Sequence, residues 1–317
     1  MATQTVSGMP QAVSPDGPQT PTPAPPPAGK KRSGYRGPGE RSLAASPTTW
    51  FVWAGMAALF IFLVGILVSV VVDSFGKPWF DSWLPDAFSA SWYTDAWNQF
   101  GLAHIIVVTL IVALTVIVIS VLVGVPAAYL LARRTFPLKR TITLLFLLPV
   151  LMPPITYGIP LATVMYNFGL GRTLTAVILV NLVPSIPFVI MTMTPFIEQI
   201  NPTIEDAARM SGASMRRVFT KILMPLLIPG ILAASILVLV RTVGMFELTF
   251  LVSGPSSDTL VVAIYRAMTA AGGGEARQLI SSMAVIYTVT MMVILVVALR
   301  FISPTQLVAR VKESRED

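Results

Sequence analysis

What most limits this chain is a succession of apolar runs, each about 20 residues or more and almost free of charge. Of the 317 residues, 54% are hydrophobic and only 12% charged, and the charges crowd into the tails and a few loops. Lipid offers backbone N–H and C=O groups no partner, so runs of this length must cross it as helices. The expected fold is therefore all-α, a polytopic membrane protein with six transmembrane helices. The spans are read as Trp50–Val72, Ile105–Ala132, Ile142–Tyr166, Leu174–Pro195, Leu226–Val252 and Leu279–Ile302.

Orientation follows from the basic residues. Arg133, Arg134, Lys139, Arg140, Arg209, Arg216, Arg217, Lys221, Arg310, Lys312 and Arg315 fall on one side with the N-terminal Lys30, Lys31, Arg32, Arg36 and Arg41. The other side carries mainly Lys77, Arg172, Arg266 and Arg277. Both termini are thus expected in the cytoplasm, on a multi-pass protein of a bacterial plasma membrane. The net charge of +7 serves this topology and lipid contact rather than nucleic acid. Residues 1–46, rich in proline, read as a disordered cytoplasmic tail, 47–305 as the permease-like body and 306–317 as a second cytoplasmic tail. The outer segment between the first two spans holds Trp79, Phe80, Asp81, Trp83, Asp86, Trp92, Tyr93, Asp95 and Trp97. It suits the headgroup layer and docking of an extracytoplasmic partner equally well.

Catalytic chemistry finds little to work with. There is no cysteine, and the lone His104 reads as a cap on the outer end of a span, so no metal site or cofactor site is expected in the chain. No His-Glu-x-x-His or Gly-x-Ser-x-Gly occurs, which argues against an intramembrane enzyme. The prolines of the third span (Pro149, Pro153, Pro154, Pro160) and fourth (Pro184, Pro187) predict kinked helices, with Tyr157 and Asn181 as polar positions near the kinks. Arg241 and Glu247 fall inside the fifth span. An ionised group at mid-bilayer costs at least about 2.5–3.5 kcal/mol, so each should face protein or a water-filled cavity. Six residues place them about 120° apart on an ideal helix, so they need not pair with each other. They either line a solute pathway or gate, together with Tyr157 and Asn181, or form interhelical ion pairs; a cationic solute would point to Glu247 and the outer aspartates.

The loop between the fourth and fifth spans, about 196–225, is long and regular. Thr203 is expected to cap a short helix with Asp206 three residues on, Ala207 and Ala208 keep one face small, and Gly212 allows a sharp exit. Ser214 would cap a second short helix before Pro225 and Pro229 open the fifth span. Glu205, Asp206-Ala207-Ala208, Gly212 and Ile222-Leu223-Met224-Pro225 resemble the signature of permease subunits of binding-protein-dependent ABC importers. In that signature Glu-Ala-Ala, three residues, Gly, nine residues and Ile-x-Leu-Pro follow in order. Asp206 stands for the leading glutamate and Met224 for the leucine.

The resemblance covers roughly residues 50 to 305 and implies a type I importer fold whose loop forms coupling helices seated on a cytoplasmic ATPase. It further implies two ATPase subunits, which bind ATP and Mg, a second permease subunit and an extracytoplasmic solute-binding protein. No Gly-x4-Gly-Lys-Ser/Thr phosphate loop occurs in the chain itself. The stretch from Phe246 to Pro255, with Thr259-Leu260 and Ile264-Tyr265, is similar to spermidine/putrescine-type permeases, and sugar or polyol permeases share the coupling signature. A non-transporting scaffold, and a channel or ion-driven carrier, are the rival readings; neither explains both the regular loop and the buried charges.

Overall fold

The computed structural model describes residues 47–77, 85–270 and 276–300. The tail of residues 1–46, the aromatics Trp79, Phe80 and Trp83, and the tail of residues 306–317 lie outside them. The described chain is helical: α1 (Pro47–Phe75), α2 (Ser91–Phe100), α3 (Leu102–Arg133), α4 (Lys139–Leu151), α5 (Pro154–Asn167), α6 (Leu174–Glu198), α7 (Thr203–Met210), α8 (Met215–Val218), a π turn (Phe219–Leu223), α9 (Met224–Val243), α10 (Glu247–Val252), α11 (Leu260–Met268) and α12 (Arg277–Arg300). Among the described residues five helices are long and apolar enough to cross a membrane, or six if the bent pair α4–α5 counts as one span. The chain divides into two compact units at Phe60/Ile61. The described part of the first is the N-terminal half of α1, whose side chains from Trp50 onward are exposed.

The second unit is built on α3 and α6. Val112, Val116 and Val125 from α3 meet Val180, Val189, Ile190 and Met193 from α6 in one buried core, which Leu227 and Val238 of α9 and Leu248 of α10 complete. The helices cross closely where Gly124 leaves room: a Cβ there would stand 2.7 Å from a Val189 methyl. A second core of Ala96, Leu102, Leu260, Leu279 and Met283 joins α2, α11 and α12 to the start of α3. Thr109 of α3 accepts the backbone N–H of Leu260 at 3.0 Å, so a side chain 151 residues away caps α11.

Proline acts differently in the two spans expected to be kinked. Between α4 and α5 the chain turns by 97°. Two consecutive prolines, Pro153 and Pro154, exclude the helical conformation from the residue before each, and Met152 is accordingly extended with ψ 144°. The fourth span, by contrast, stays one helix from Leu174 to Glu198 with Pro184, Pro187 and Pro195 inside it. Its prolines come singly, and close packing along α3 holds the helix together.

The fifth span also differs from expectation. It begins ten or so residues early, running continuously through α8, the π turn and α9 from Met215 to Val243, and ends early at Gly244. The chain then bends through Met245 and Phe246 into α10. Ile222 and Pro225 thus belong to the root of a span, not to a separate loop helix. Asp258 is no exposed outer-loop residue either: it is buried, paired with Arg266 at 2.8 Å and bonded by the Ser253 hydroxyl at 2.7 Å. At the neighbouring end of α1, Asp73 pairs with Arg277 at 2.9 Å and accepts from Ser281 at 2.7 Å. His104 does sit in the first turn of α3, with Nε2 3.3 Å from the Ser256 carbonyl.

Candidate functional site

Helix α7 is positioned by local chemistry at both ends. Asn201, not Thr203, supplies the cap: its Oδ1 accepts the Thr203 N–H at 3.0 Å and the Thr203 hydroxyl at 2.8 Å. Glu205 and Asp206 lie in the first turn and Arg209 in the last, in the sense that the helix dipole favours. At the C-terminus the Gly212 N–H bonds the Arg209 carbonyl and the Ala213 N–H bonds the Ala208 carbonyl, which is the Schellman arrangement. Gly212 has φ +81° with open space around its Cβ direction, so the backbone conformation and not crowding calls for glycine. Ser214 stands at the start of α8, but its side chain makes no capping bond.

The two faces of α7 differ sharply. Glu205 points inward and is 4% exposed. Its Oε1 takes the Arg133 Nε–H at 2.8 Å and its Oε2 the Tyr129 hydroxyl at 2.7 Å. Arg133 also donates to the Ile200 carbonyl at 2.7 Å. Expected on the coupling surface, this carboxylate instead bonds its own chain, because α3 presents a guanidinium and a phenol to it at the inner end. Asp206, Ala207 and Gly212 are exposed, Ala208 is half-buried against the core, and Ile204 and Met210 project outward, Met210 at 85% exposure. The outer face of α7 is therefore small at its middle and apolar at its edges, a shape that fits into a groove. Sequence reasoning missed Arg133 and Tyr129 as site residues; Arg133 looks like any span-end cation, and its partner is 72 residues away.

Within the membrane the four polar residues expected to line a pathway separate into two groups. Tyr157, Arg241 and Glu247 lie within Coulombic reach of one another's charges around the phenol. Arg241 stacks over the Phe188 ring at 5.5 Å and, among the described residues, forms no ion pair with Glu247. Since the helix ends between them, the 120° separation of an ideal helix does not apply, and Glu247 is the first residue of α10. The Tyr157 hydroxyl is buried without a protein hydrogen-bond partner. Tyr157 also lines a cavity of about 380 Å³ at the α4–α5 bend, with Leu148, Pro149, Met152, Pro160 and Val183. Asn181 belongs elsewhere: 1% exposed, it donates to the Val177 carbonyl and to the Thr249 hydroxyl at 3.2 Å, tying α10 to α6.

Next to Glu247 is an aromatic trio. Phe246 and Phe250 stack at 5.2 Å, and Tyr265 meets them at 4.8 and 5.1 Å. Arg266 covers Phe250 at 5.8 Å. The i, i+4 spacing of the two phenylalanines was visible in the sequence, but Tyr265 comes from another helix. Among the described residues no group of three or more His, Cys, Asp or Glu could hold a metal ion.

Known proteins resemble this arrangement. The trehalose transport system permease protein SugB of Mycobacterium tuberculosis is 36% identical over 129 residues, 41% of this chain and 47% of that protein. The probable ABC transporter permease protein y4oR of Sinorhizobium fredii is 32% identical over 166 residues, 52% of this chain and 59% of that one. The chain thus spans about half the length of the curated relatives it matches. In fold it is similar to a chain of a bacterial ABC transporter that imports the acidic polysaccharide alginate, with TM-score 0.64 and 16% identity over 83% of this chain and 98% of that one. The sequence pattern of one family, described as the binding-protein-dependent transport system inner membrane component, matches residues 120–312. With an all-helical fold of the type I importer permeases and that match over more than half its length, the chain belongs to the family of binding-protein-dependent transport system inner membrane components.

Proposed function

We propose that this chain is the permease subunit of an ATP-driven importer. It forms half of a solute pathway with a second permease subunit and receives its solute from an extracytoplasmic binding protein. Two cytoplasmic ATPase subunits, which carry the ATP and Mg, drive it through α7. Both termini face the cytoplasm of a bacterial cell. The observation that supports this reading best is α7 itself: its inner face is fastened by a buried ion pair while Ile204, Ala207 and Met210 stay exposed. A helix held this firmly with an apolar, small-centred outer face is built to be gripped from outside.

The deciding experiment is a mild-detergent pull-down of the chain from its native membrane beside a Gly212→Trp variant. Recovery of an ATPase with the wild type and its loss in the variant is the expected result. An intact extracted chain that brings down no ATPase removes the reading and moves a scaffold or ion-driven carrier to the front.

For the solute, a sugar-type molecule is favoured over a polyamine. The outer carboxylates that would attract a polycation are already taken, Asp258 by Arg266 and Asp73 by Arg277. Glu247 is balanced by Arg241 close to the same phenol. The exposed edge of the Phe246–Phe250–Tyr265 trio offers the apolar face that pyranose rings stack on, with polar groups beside it for hydroxyls. Relatives described as trehalose and diacetylchitobiose permeases support the same choice. The co-recovered binding protein, tested by thermal shift against disaccharides and spermidine, decides between them; stabilisation by spermidine alone reverses the choice.

A further inference from the structure

The cluster of Glu205, Arg133 and Tyr129 touches neither the interior pathway nor the exposed face of α7. We propose that it is a mechanical lock: it makes α3 and the coupling helix one rigid body with α6, so that the loop's displacement reaches α3 directly and α9 is the span that pivots. This rests on the importer reading above. Glu205 is in these terms a positioning residue, acting through α3 and contacting neither solute nor nucleotide.

Connectivity alone would not give this result. The loop is joined covalently to α6 and, through α8 and the π turn, to α9; α3 is reached along the chain only by way of α4, α5 and α6. Side chains supply the missing link. Both carboxylate oxygens of Glu205 are occupied, one by a guanidinium and one by a phenol, and Arg133 uses a second nitrogen for Ile200 just beyond the end of α6. The pair is dehydrated, with side-chain exposures of 12% and 5%, so sliding it apart would strand two charges away from water. Tyr129 is further held by an edge-on contact with Phe219 at 5.6 Å. Higher up, the Gly124–Val189 crossing leaves α3 and α6 no slack. The link to α9 is of another kind. The five residues Phe219–Leu223 form a π turn, a break in helical regularity at which helices bend.

The chain has no cysteine, so reporter pairs can be placed freely. Met210→Cys with Leu122→Cys reads α7 against α3, and Met210→Cys with Leu237→Cys reads α7 against α9, all three being exposed positions. Nitroxide-labelled full-length chain in nanodiscs is measured alone and then with its co-purified ATPase, with and without MgATP and vanadate. The first pair should give a single narrow distance that MgATP leaves in place, while the second shifts. Glu205→Gln and Tyr129→Phe should each lose the narrow distance of the first pair although the chain still inserts. The exchange Arg133→Glu with Glu205→Arg should restore it. An unchanged distribution in Glu205→Gln, or a first pair that shifts with MgATP as far as the second, overturns the lock. Should no ATPase co-purify with the wild type, the importer reading fails, and the first pair in the chain alone still decides the lock.

Discussion

Removing the Glu205 carboxylate strands the Arg133 guanidinium beside an unpaired phenol, and breaking a buried pair in this way costs about 3–5 kcal/mol. Glu205→Ala should therefore lower the unfolding temperature of the detergent-solubilised chain and open the segment between Glu198 and Met215 to protease, which limited digestion reads directly. Two glycines make a contrasting pair. At Gly158 a Cβ would stand 2.9 Å from the Leu248 and Leu251 side chains, so Gly158→Val overpacks the α5–α10 contact by about 1–3 kcal/mol. At Gly212 space is free but φ is +81°, so Gly212→Ala costs about 1–2 kcal/mol through the left-handed backbone alone. Thermal melts of the two variants should separate further when each is enlarged: Gly158→Leu falls below Gly158→Val, whereas Gly212→Leu stays near Gly212→Ala. Gly212 was legible from the sequence because its role is local, fixed by the helix it terminates. The inward turn of Glu205 was not, since its partners lie more than 70 residues away and one of them, Tyr129, carries no charge.

At the scale of elements, composition revealed where helices lie better than where they break. The double proline after Met152 marked the α4–α5 bend, but isolated prolines in α6 gave the same signal and produced no break. The interruption after Val243 left almost no trace, because Gly244, Met245 and Phe246 continue the apolar run without proline. It is packing that decides there: Leu248 and Thr249 are buried against α5 and α6, with Thr249 receiving Asn181. Replacing Pro153 and Pro154 together by alanine should let α4 and α5 straighten. Spin labels at Leu145 and Ile159 would then approach the separation of about 21 Å that 14 residues of helix span, a distance the 97° bend keeps shorter. An unaltered distance in the double variant would assign the bend to tertiary packing instead.

Over the whole molecule, the placement of charge carries an orientation that labelling can test. Single cysteines at Arg216 and Arg140 should stay unreactive to a membrane-impermeant maleimide on intact cells and react after lysis, whereas one at Arg172 should react at once. Reaction at Arg216 in intact cells would invert the topology. The same scale explains why the family was readable and the solute was not. The coupling signature lies on one continuous segment, while the surface a solute would meet is assembled from α5, α9, α10 and α11, with Tyr157, Arg241, Glu247 and Tyr265 each arriving from a different helix.

The π turn at Phe219–Leu223 also sets the rotational phase of everything beyond it. A wide turn holds one residue more than an α-turn, so deleting a single residue from this stretch would rotate the rest of α9 by about 100°. Arg241 would swing off the Phe188 ring and Leu227 and Val238 out of the core, although the span would remain as long and as apolar as before. The signature's fixed interval from Gly212 to Pro225 is in this light a clocking distance: it determines which side of the fifth span looks inward.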